Sequence, residues 1–170
     1  PTPYTVIAKS VKIMAKKLKA SNNLVVLVVG ETARSMNFSI NGYGRQTTPQ
    51  LEQLPVVSFS TVASCGTATA ISLPCMFSDL DRKQYSGSKV ENRENLLDLA
   101  GRAGYRVLWI DNQAGSKGVA DRVEFQQLER ITTEGPETPD ADFIPAFRRL
   151  LNQAAEPTLV VLHQMGSHGP

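Results

Sequence analysis

Glu31 directly follows Gly30 at the end of an apolar run, LVVLVV, spanning Leu24–Val29. Glycine lets the backbone turn sharply, so a carboxylate there can stand at the rim of a sheet and hold a cation. An ordinary loop carboxylate in contact with Arg34 fits the same pattern. Further on, Ser64-Cys65-Gly66-Thr67-Ala68-Thr69-Ala70 leads small residues into a helix-compatible segment. The first N–H groups of a helix have no intrahelical acceptor, which makes such a start an anion site. A hydroxyl placed there sits beside any phosphate it binds, but threonine needs a base or a metal ion to become a nucleophile. Thr67 or Thr69 as a simple helix cap is the competing reading. Asn112, Gln113, Ser116 and Lys117 form a polar loop punctuated by glycine, in which Lys117 can neutralise a phosphate or merely be solvated. His168 lies in a Gly-Ser-His-Gly turn suited to a metal or phosphate oxygen, whereas His163, at the end of an apolar run, reads as the more buried of the two histidines.

These residues need a frame, and the pattern supplies one. Residues 24–29, 105–110 (YRVLWI) and 158–162 (TLVVL) are continuous β-branched or apolar runs, expected as strands buried on both faces of a parallel sheet. Between them lie helical patterns: residues 63–73 ended by Pro74, residues 92–103 closed by Gly104, and residues 142–155 broken by Pro157. Residues 4–20 read as an amphipathic helix with Val6, Ile7, Val11, Met14 and Leu18 on one side and five lysines on the other. That lysine face is either solvated or laid against anionic lipid. Residues 135–140 read as an exposed loop. Strands alternating with helices imply an α/β fold, a mainly parallel β-sheet sandwiched by helices. Ligands in such folds bind at the carboxyl ends of the strands. The three strands end in Glu31, in Asp111 with Asn112, and in His163 followed by His168, which marks that edge as the site.

The chain has 170 residues, 41% hydrophobic and 20% charged, a composition that builds a packed core and argues against disorder. A net charge of +2 is too small to suggest a nucleic-acid binder, which normally shows a clustered basic face. No apolar run reaches the length of a bilayer span. Pro1 and Pro170 both read as internal positions of a longer chain. Cys65 and Cys75 are too widely spaced for a CxxC motif, and spacing alone leaves free thiols and a bridge both open.

Several motifs stand together in one order: Val28-Val29-Gly30-Glu31-Thr32-Ala33-Arg34, Asn41-Gly42-Tyr43, Thr47-Thr48-Pro49, Ser64 through Ala70, Pro74-Cys75-Met76-Phe77, and Gly166-Ser167-His168-Gly169-Pro170. In this the chain resembles the lipid A phosphoethanolamine transferases, the group that includes the mobile colistin-resistance enzymes, within the alkaline-phosphatase and sulfatase superfamily. The resemblance runs from about Leu24 to Pro170. It implies that Glu31 is a zinc ligand and that Thr69 is both ligand and nucleophile. It implies that Thr67, Gln113 and Lys117 contact the donor's phosphoethanolamine group, and that His168 lies near metal and substrate. Gln113 stands where many relatives carry Asn, and Ala114 where they often carry Ser. Cys65 and Cys75 match a family disulfide across the nucleophile helix.

The implied reaction is zinc-dependent transfer of phosphoethanolamine from phosphatidylethanolamine to a lipid A phosphate, through an ester on Thr69, linked to polymyxin resistance. The implied setting is the periplasmic side of the inner membrane of a Gram-negative bacterium. Residues 1–23 would then be a linker helix, and residues 24–170 the N-terminal part of the catalytic domain. Membrane helices before Pro1 and an Asp-His zinc-ligand pair beyond Pro170 belong to the family pattern, so the isolated 170 residues are expected to be inactive. A phosphatase or phosphodiesterase, a phosphoglycerol transferase, and a non-catalytic lipid-binding fragment are the alternatives. A sulfatase activity fits poorly, because neither cysteine begins a Cys-x-Pro-x-Arg signature.

Overall fold

A computed structural model describes residues 3–9, 23–131, 139–153 and 155–166. Its centre is one sheet of four parallel strands: β1 (Leu24–Val29), β2 (Arg106–Asp111), β3 (Glu124–Gln127) and β4 (Thr158–His163), in the order β1-β4-β2-β3. The helices are α1 (Thr69–Phe77), the single turn α2 (Gly87–Val90), α3 (Leu96–Arg102) and α4 (Phe143–Gln153). The α/β architecture expected from the alternating pattern is therefore present.

Side chains alternate across the two sheet faces, and each face has its own core. Val107, Trp109, Leu159 and Val161 pack with Leu73 and Phe77 of α1 and Leu97 of α3. Leu108, Ile110, Val160 and Leu162 pack with Phe143, Ala146 and Leu150 of α4. The α4 residues recur at three and four positions, which is what lays one helical face on the sheet.

Several boundaries depart from expectation, each for a local reason. The stretch at residues 92–103 begins helix only at Leu96, because Asn95 forms a capping box: its side chain accepts from the Leu97 amide at 2.8 Å, and its own amide donates to Asp98 at 2.8 Å. Helix α1 starts at Thr69, not residue 63, and runs through Pro74 to Phe77. Proline removes one intrahelical donor, but the carbonyl it leaves unmet belongs to exposed Ala70, and burial of Leu73, Cys75 and Phe77 holds the last turn. Strand β1 is not buried on both faces. Val25, Val26 and Val28 are exposed, because β1 lies at the edge of the described sheet.

Strand β3 was not anticipated, since EFQQ is short, largely exposed and without an apolar run. Residues 4–9 of the expected first helix are not helical: Thr5 bridges to Arg93, and Ile7 is buried with its amide on Glu94 at 3.0 Å. The rest of that expected helix, residues 10–20, lies outside the described residues.

Asn95 also donates to the Val119 carbonyl at 2.8 Å from a buried position. Replacing it by alanine removes the cap and orphans that carbonyl, so Asn95→Ala should cost about 2 kcal/mol. Urea unfolding of the purified protein reads this as a lower midpoint with an unchanged slope.

Candidate active site

The register aligns the strand ends: Val29 pairs with His163, and His163 with Asp111. The loops leaving these positions form a single edge. Glu31 sits two residues past β1, half-buried. Its Oε2 accepts the Thr69 hydroxyl at 3.1 Å, and its Oε1 accepts the Thr32 hydroxyl at 3.0 Å. Thr32 holds φ at +54°, a left-handed conformation that is costly for a β-branched residue. Arg34 turns to the Met36 sulfur at 2.9 Å.

Thr69 is the first residue of α1, and the cap position belongs to Ala68, which makes no side-chain cap bond. The Thr69 hydroxyl is thus not spent on capping its own helix; it points across 38 residues of sequence to Glu31. The turn before it is narrow. Ser64 Oγ donates to the Gly66 carbonyl at 2.6 Å, and a Cβ on Gly66 would stand 3.0 Å from Ile71. A Cys65–Cys75 disulfide joins this turn to the body of the helix, with a Cα–Cα distance of 6.3 Å.

Asp111 and His163 lie beneath this edge, fully buried. Asp111 Oδ1 accepts from His163 Nδ1 at 2.8 Å and from Trp109 Nε1 at 2.9 Å. Its Oδ2 accepts the Gln113 amide at 2.9 Å and the Gly115 amide at 3.0 Å. Burial pushes the Asp111 carboxyl up, yet the hydrogen bonds from His163, Trp109 and the Gly115 amide outweigh it and hold its pKa below the usual value. An ionised carboxylate only accepts, so His163 Nδ1 carries the proton toward it.

The loop fixed in this way carries Gln113 and Lys117. Gln113 Nε2 reaches the Met165 carbonyl at 3.5 Å, at the limit of a hydrogen bond. Lys117, with φ at +53°, is exposed and donates to the Ala114 carbonyl at 2.6 Å. It shares a cleft of about 340 Å³ with Ala70, the neighbour of Thr69, and with Tyr85. Thr67 is exposed two residues before Thr69. His168 lies outside the described residues.

The structure therefore brings Glu31 and Thr69 into contact, sets Gln113 and Lys117 on an adjoining loop, and leaves Thr67 open to solvent. Glu31 and Thr69 offer two adjacent oxygen donors, which fit part of the ligand set of a hard or borderline divalent cation. Among the described residues no group of three His, Cys, Asp or Glu side chains comes together. The side chain that sequence reasoning missed is Asp140, expected at the end of an exposed loop. It is half-buried and accepts three hydrogen bonds from the segments after β2 and β4. An acidic residue before a helix gives no local signal of contacts 25 to 28 residues away.

The parallel sheet presents at its carboxyl edge a carboxylate, Glu31, facing the hydroxyl of Thr69 at a helix start, and residues 23–170 match the family model described as Sulfatase. The chain belongs to the sulfatase family. Within that family its likeness is to the phosphoethanolamine transferases. It is 44% identical over 152 residues to phosphoethanolamine transferase EptA of Escherichia coli K12, covering 87% of this chain and 28% of that protein. It is 42% identical over 165 residues to phosphatidylethanolamine transferase Mcr-1 of Escherichia coli, covering 86% of this chain and 29% of that protein. Among solved structures, the soluble domain of lipooligosaccharide phosphoethanolamine transferase A from Neisseria meningitidis matches with a TM-score of 0.87 at 40% identity. That match covers 99% of this chain and 52% of that one. The C-terminal periplasmic domain of EptC from Escherichia coli, solved in complex with Zn, shares the fold at a TM-score of 0.72 and 24% identity, over 86% of this chain and 44% of that one. The chain spans about three-tenths of the length of the two curated relatives.

Because the folded pKa of Asp111 is depressed, its contribution to stability is full above the unfolded value of 3.8 and is lost as pH falls through the lower folded value. Asp111→Asn should lower stability at pH 7 by about 3 kcal/mol and flatten the acid limb below about pH 4. Denaturant midpoints from pH 2.5 to 7 compare the two proteins; parallel acid limbs would refute this assignment.

Proposed function

We propose that residues 24–170 are the N-terminal, nucleophile-bearing part of the periplasmic catalytic domain of a phosphoethanolamine transferase. The enzyme moves phosphoethanolamine from phosphatidylethanolamine to a phosphate of lipid A. The observation that carries this reading is the Thr69 hydroxyl, freed from helix capping and aimed at the Glu31 carboxylate. Likeness to enzymes named for this transfer supports it.

Thr69 Oγ1 attacks the phosphorus of the donor, the bond from phosphorus to the diacylglycerol oxygen breaks, and diacylglycerol leaves with a proton. Phosphoethanolamine is then esterified to Thr69. An oxygen of a lipid A phosphate attacks the same phosphorus and returns Thr69 to its free form. Glu31 Oε2 orients the Thr69 hydroxyl and is placed to receive its proton. In this reading Lys117 and the α1 N-terminus, both cationic in effect, oppose the charge of the transferring group; the cleft that Lys117 shares with Ala70, next to Thr69, supports it. Glu31 and Thr69 would hold a zinc ion, which when bound supplies Lewis-acid activation of the hydroxyl and charge neutralisation at phosphorus. Thr67, Gln113 and His168 complete the substrate contacts of this reading. The added amine offsets negative charge on lipid A, which weakens attraction of cationic peptides such as colistin.

The membrane setting belongs to the same proposal. Among the described residues no helix is long and apolar enough to cross a bilayer. Residues 1–23 are assigned as the approach to the domain, and the inner membrane as the site of both lipids.

The test uses the full-length natural protein that carries this sequence, incubated with fluorescent phosphatidylethanolamine. Intact-mass analysis should show a phosphoethanolamine adduct on the wild type and none on Thr69→Ala. Release of labelled diacylglycerol should fall about 1,000-fold or more in that variant, with the melting temperature little changed. Retained turnover in Thr69→Ala would sink the mechanism, and release of free phosphoethanolamine without transfer to lipid A would favour a phosphodiesterase.

A further inference from the structure

Asp140 stands outside every motif discussed so far, yet its carboxylate touches two of the three segments that build the site. Its Oδ1 accepts Asn112 Nδ2 at 2.8 Å and the Met165 amide at 2.9 Å, while its Oδ2 accepts the Gly166 amide at 2.8 Å. Asn112 follows β2, and Met165 and Gly166 follow β4. The third segment is reached through Gly166. A Cβ there would lie 2.9 Å from the Glu31 carbonyl oxygen and 3.0 Å from its amide nitrogen, so the Gly166 backbone rests directly on the residue that faces Thr69. Gly166 also holds φ at +57°, where an L side chain is strained.

Capping does not account for these contacts. The single helical turn at Asp140–Asp142 has Pro139 at its cap position and no side-chain cap bond. All three partners of the Asp140 carboxylate belong to other parts of the chain, 25 to 28 residues away in sequence. The neighbouring Asp142 accepts the Ile131 amide at 2.9 Å. Hydrogen bonds to an ionised carboxylate are about twice as strong as neutral ones, and three of them converging on one group leave the loop ends little freedom.

We infer that Asp140 is a positioning residue for the transfer reaction. Its carboxylate ties the loop after β2 to the turn after β4, and the turn after β4, through Gly166, sets the backbone of Glu31 and hence the Glu31 carboxylate against the Thr69 hydroxyl. This rests on the reading of Glu31 and Thr69 as the reacting pair. Small misplacements at such a pair are costly, which is why a residue with no substrate contact can govern rate.

The experiment compares Asp140→Asn with Asp142→Asn in the full-length natural protein. Asparagine preserves size at position 140 but sets an NH2 group against one or more of the three donors. Asp140→Asn should lower kcat about tenfold or more with KM for phosphatidylethanolamine changed less than about threefold, and should speed amide exchange across residues 164–166. Asp142→Asn should keep kcat within about threefold and leave exchange at residues 164–166 unaltered. Gly166→Ala, which keeps the Asp140 carboxylate but crowds Glu31, should reproduce the loss of kcat and carries the rate test if Asp140→Asn does not fold. Wild-type kcat in Asp140→Asn, wild-type kcat in Gly166→Ala, or a loss that Asp142→Asn shares would overturn the inference. A wild type that transfers nothing from phosphatidylethanolamine would refute the functional reading alone; exchange at residues 164–166 then decides the role of Asp140, with unaltered exchange in Asp140→Asn overturning it.

Discussion

A single buried carboxylate carries the arrangement of this edge. Asp111 accepts four hydrogen bonds, from His163, Trp109, Gln113 and Gly115, and has no exposure to solvent. An isolated carboxylate in that position would be too costly to ionise, so every partner is needed for the charge to be tolerated. The four partners also belong to different pieces: the strand it ends, the adjacent strand β4, and the loop that follows. Satisfying one charge therefore fixes the relative position of three segments, and the positions are those from which the candidate site is built.

From Asp111 the constraint spreads in two directions. Trp109 lies against His163 in a T-shaped contact, with ring centroids 5.3 Å apart, and against Phe77 of α1 at 5.6 Å. The far end of the Thr69 helix is thereby seated on the same buried group, and the Cys65–Cys75 bridge ties the turn before the helix to that end. In the other direction the Gln113 and Gly115 amides bend the loop that presents Lys117. Two non-glycine residues at this edge, Thr32 and Lys117, keep positive φ. Such conformations cost roughly 1–3 kcal/mol each and persist only where the surroundings over-determine them. Here Thr32 flanks Glu31 on one side and Lys117 ends the loop after β2 on the other; a third such residue, Ala8, lies away from this edge.

The parts of this legible in the sequence are those with a local signature. Leu24–Val29, the run ending at Asp111 and the run ending at His163 are apolar stretches that only a sheet core explains, and the order of elements followed from them. Strand β3 escaped because a short, exposed, Gln-rich edge strand takes its identity from pairing with β2, not from its own pattern. The start of α1 was misplaced because the small residues at 64–68 suit either a helix or the tight turn they form, and the disulfide and the Ile71 contact at Gly66 choose the turn. Exposure of β1 was likewise a matter of neighbours. Residue types alone left Glu31 as metal ligand or loop carboxylate and Thr69 as nucleophile or cap. Family resemblance implies their roles, and the contact between them joins segments 38 residues apart.

The distribution of burial bears on the transfer proposed above. Asp111, His163 and Trp109 lie fully buried beneath the edge, and Glu31 and Thr69 above them are half-buried. Everything proposed to meet substrate directly, Thr67 and Lys117 in particular, is exposed. A covalent carrier must hold phosphorus at one fixed point while one large lipid alcohol leaves and another large phosphate arrives. In the proposed transfer, a Thr69 held from beneath with an open surface above it lets one lipid leave and another arrive without displacing the groups around it. For the proposed transfer, a mobile loop closing over a bound lipid fits this edge less well, because Thr69 opens a helix whose Phe77 packs on Trp109, and the Thr69 hydroxyl itself meets Glu31.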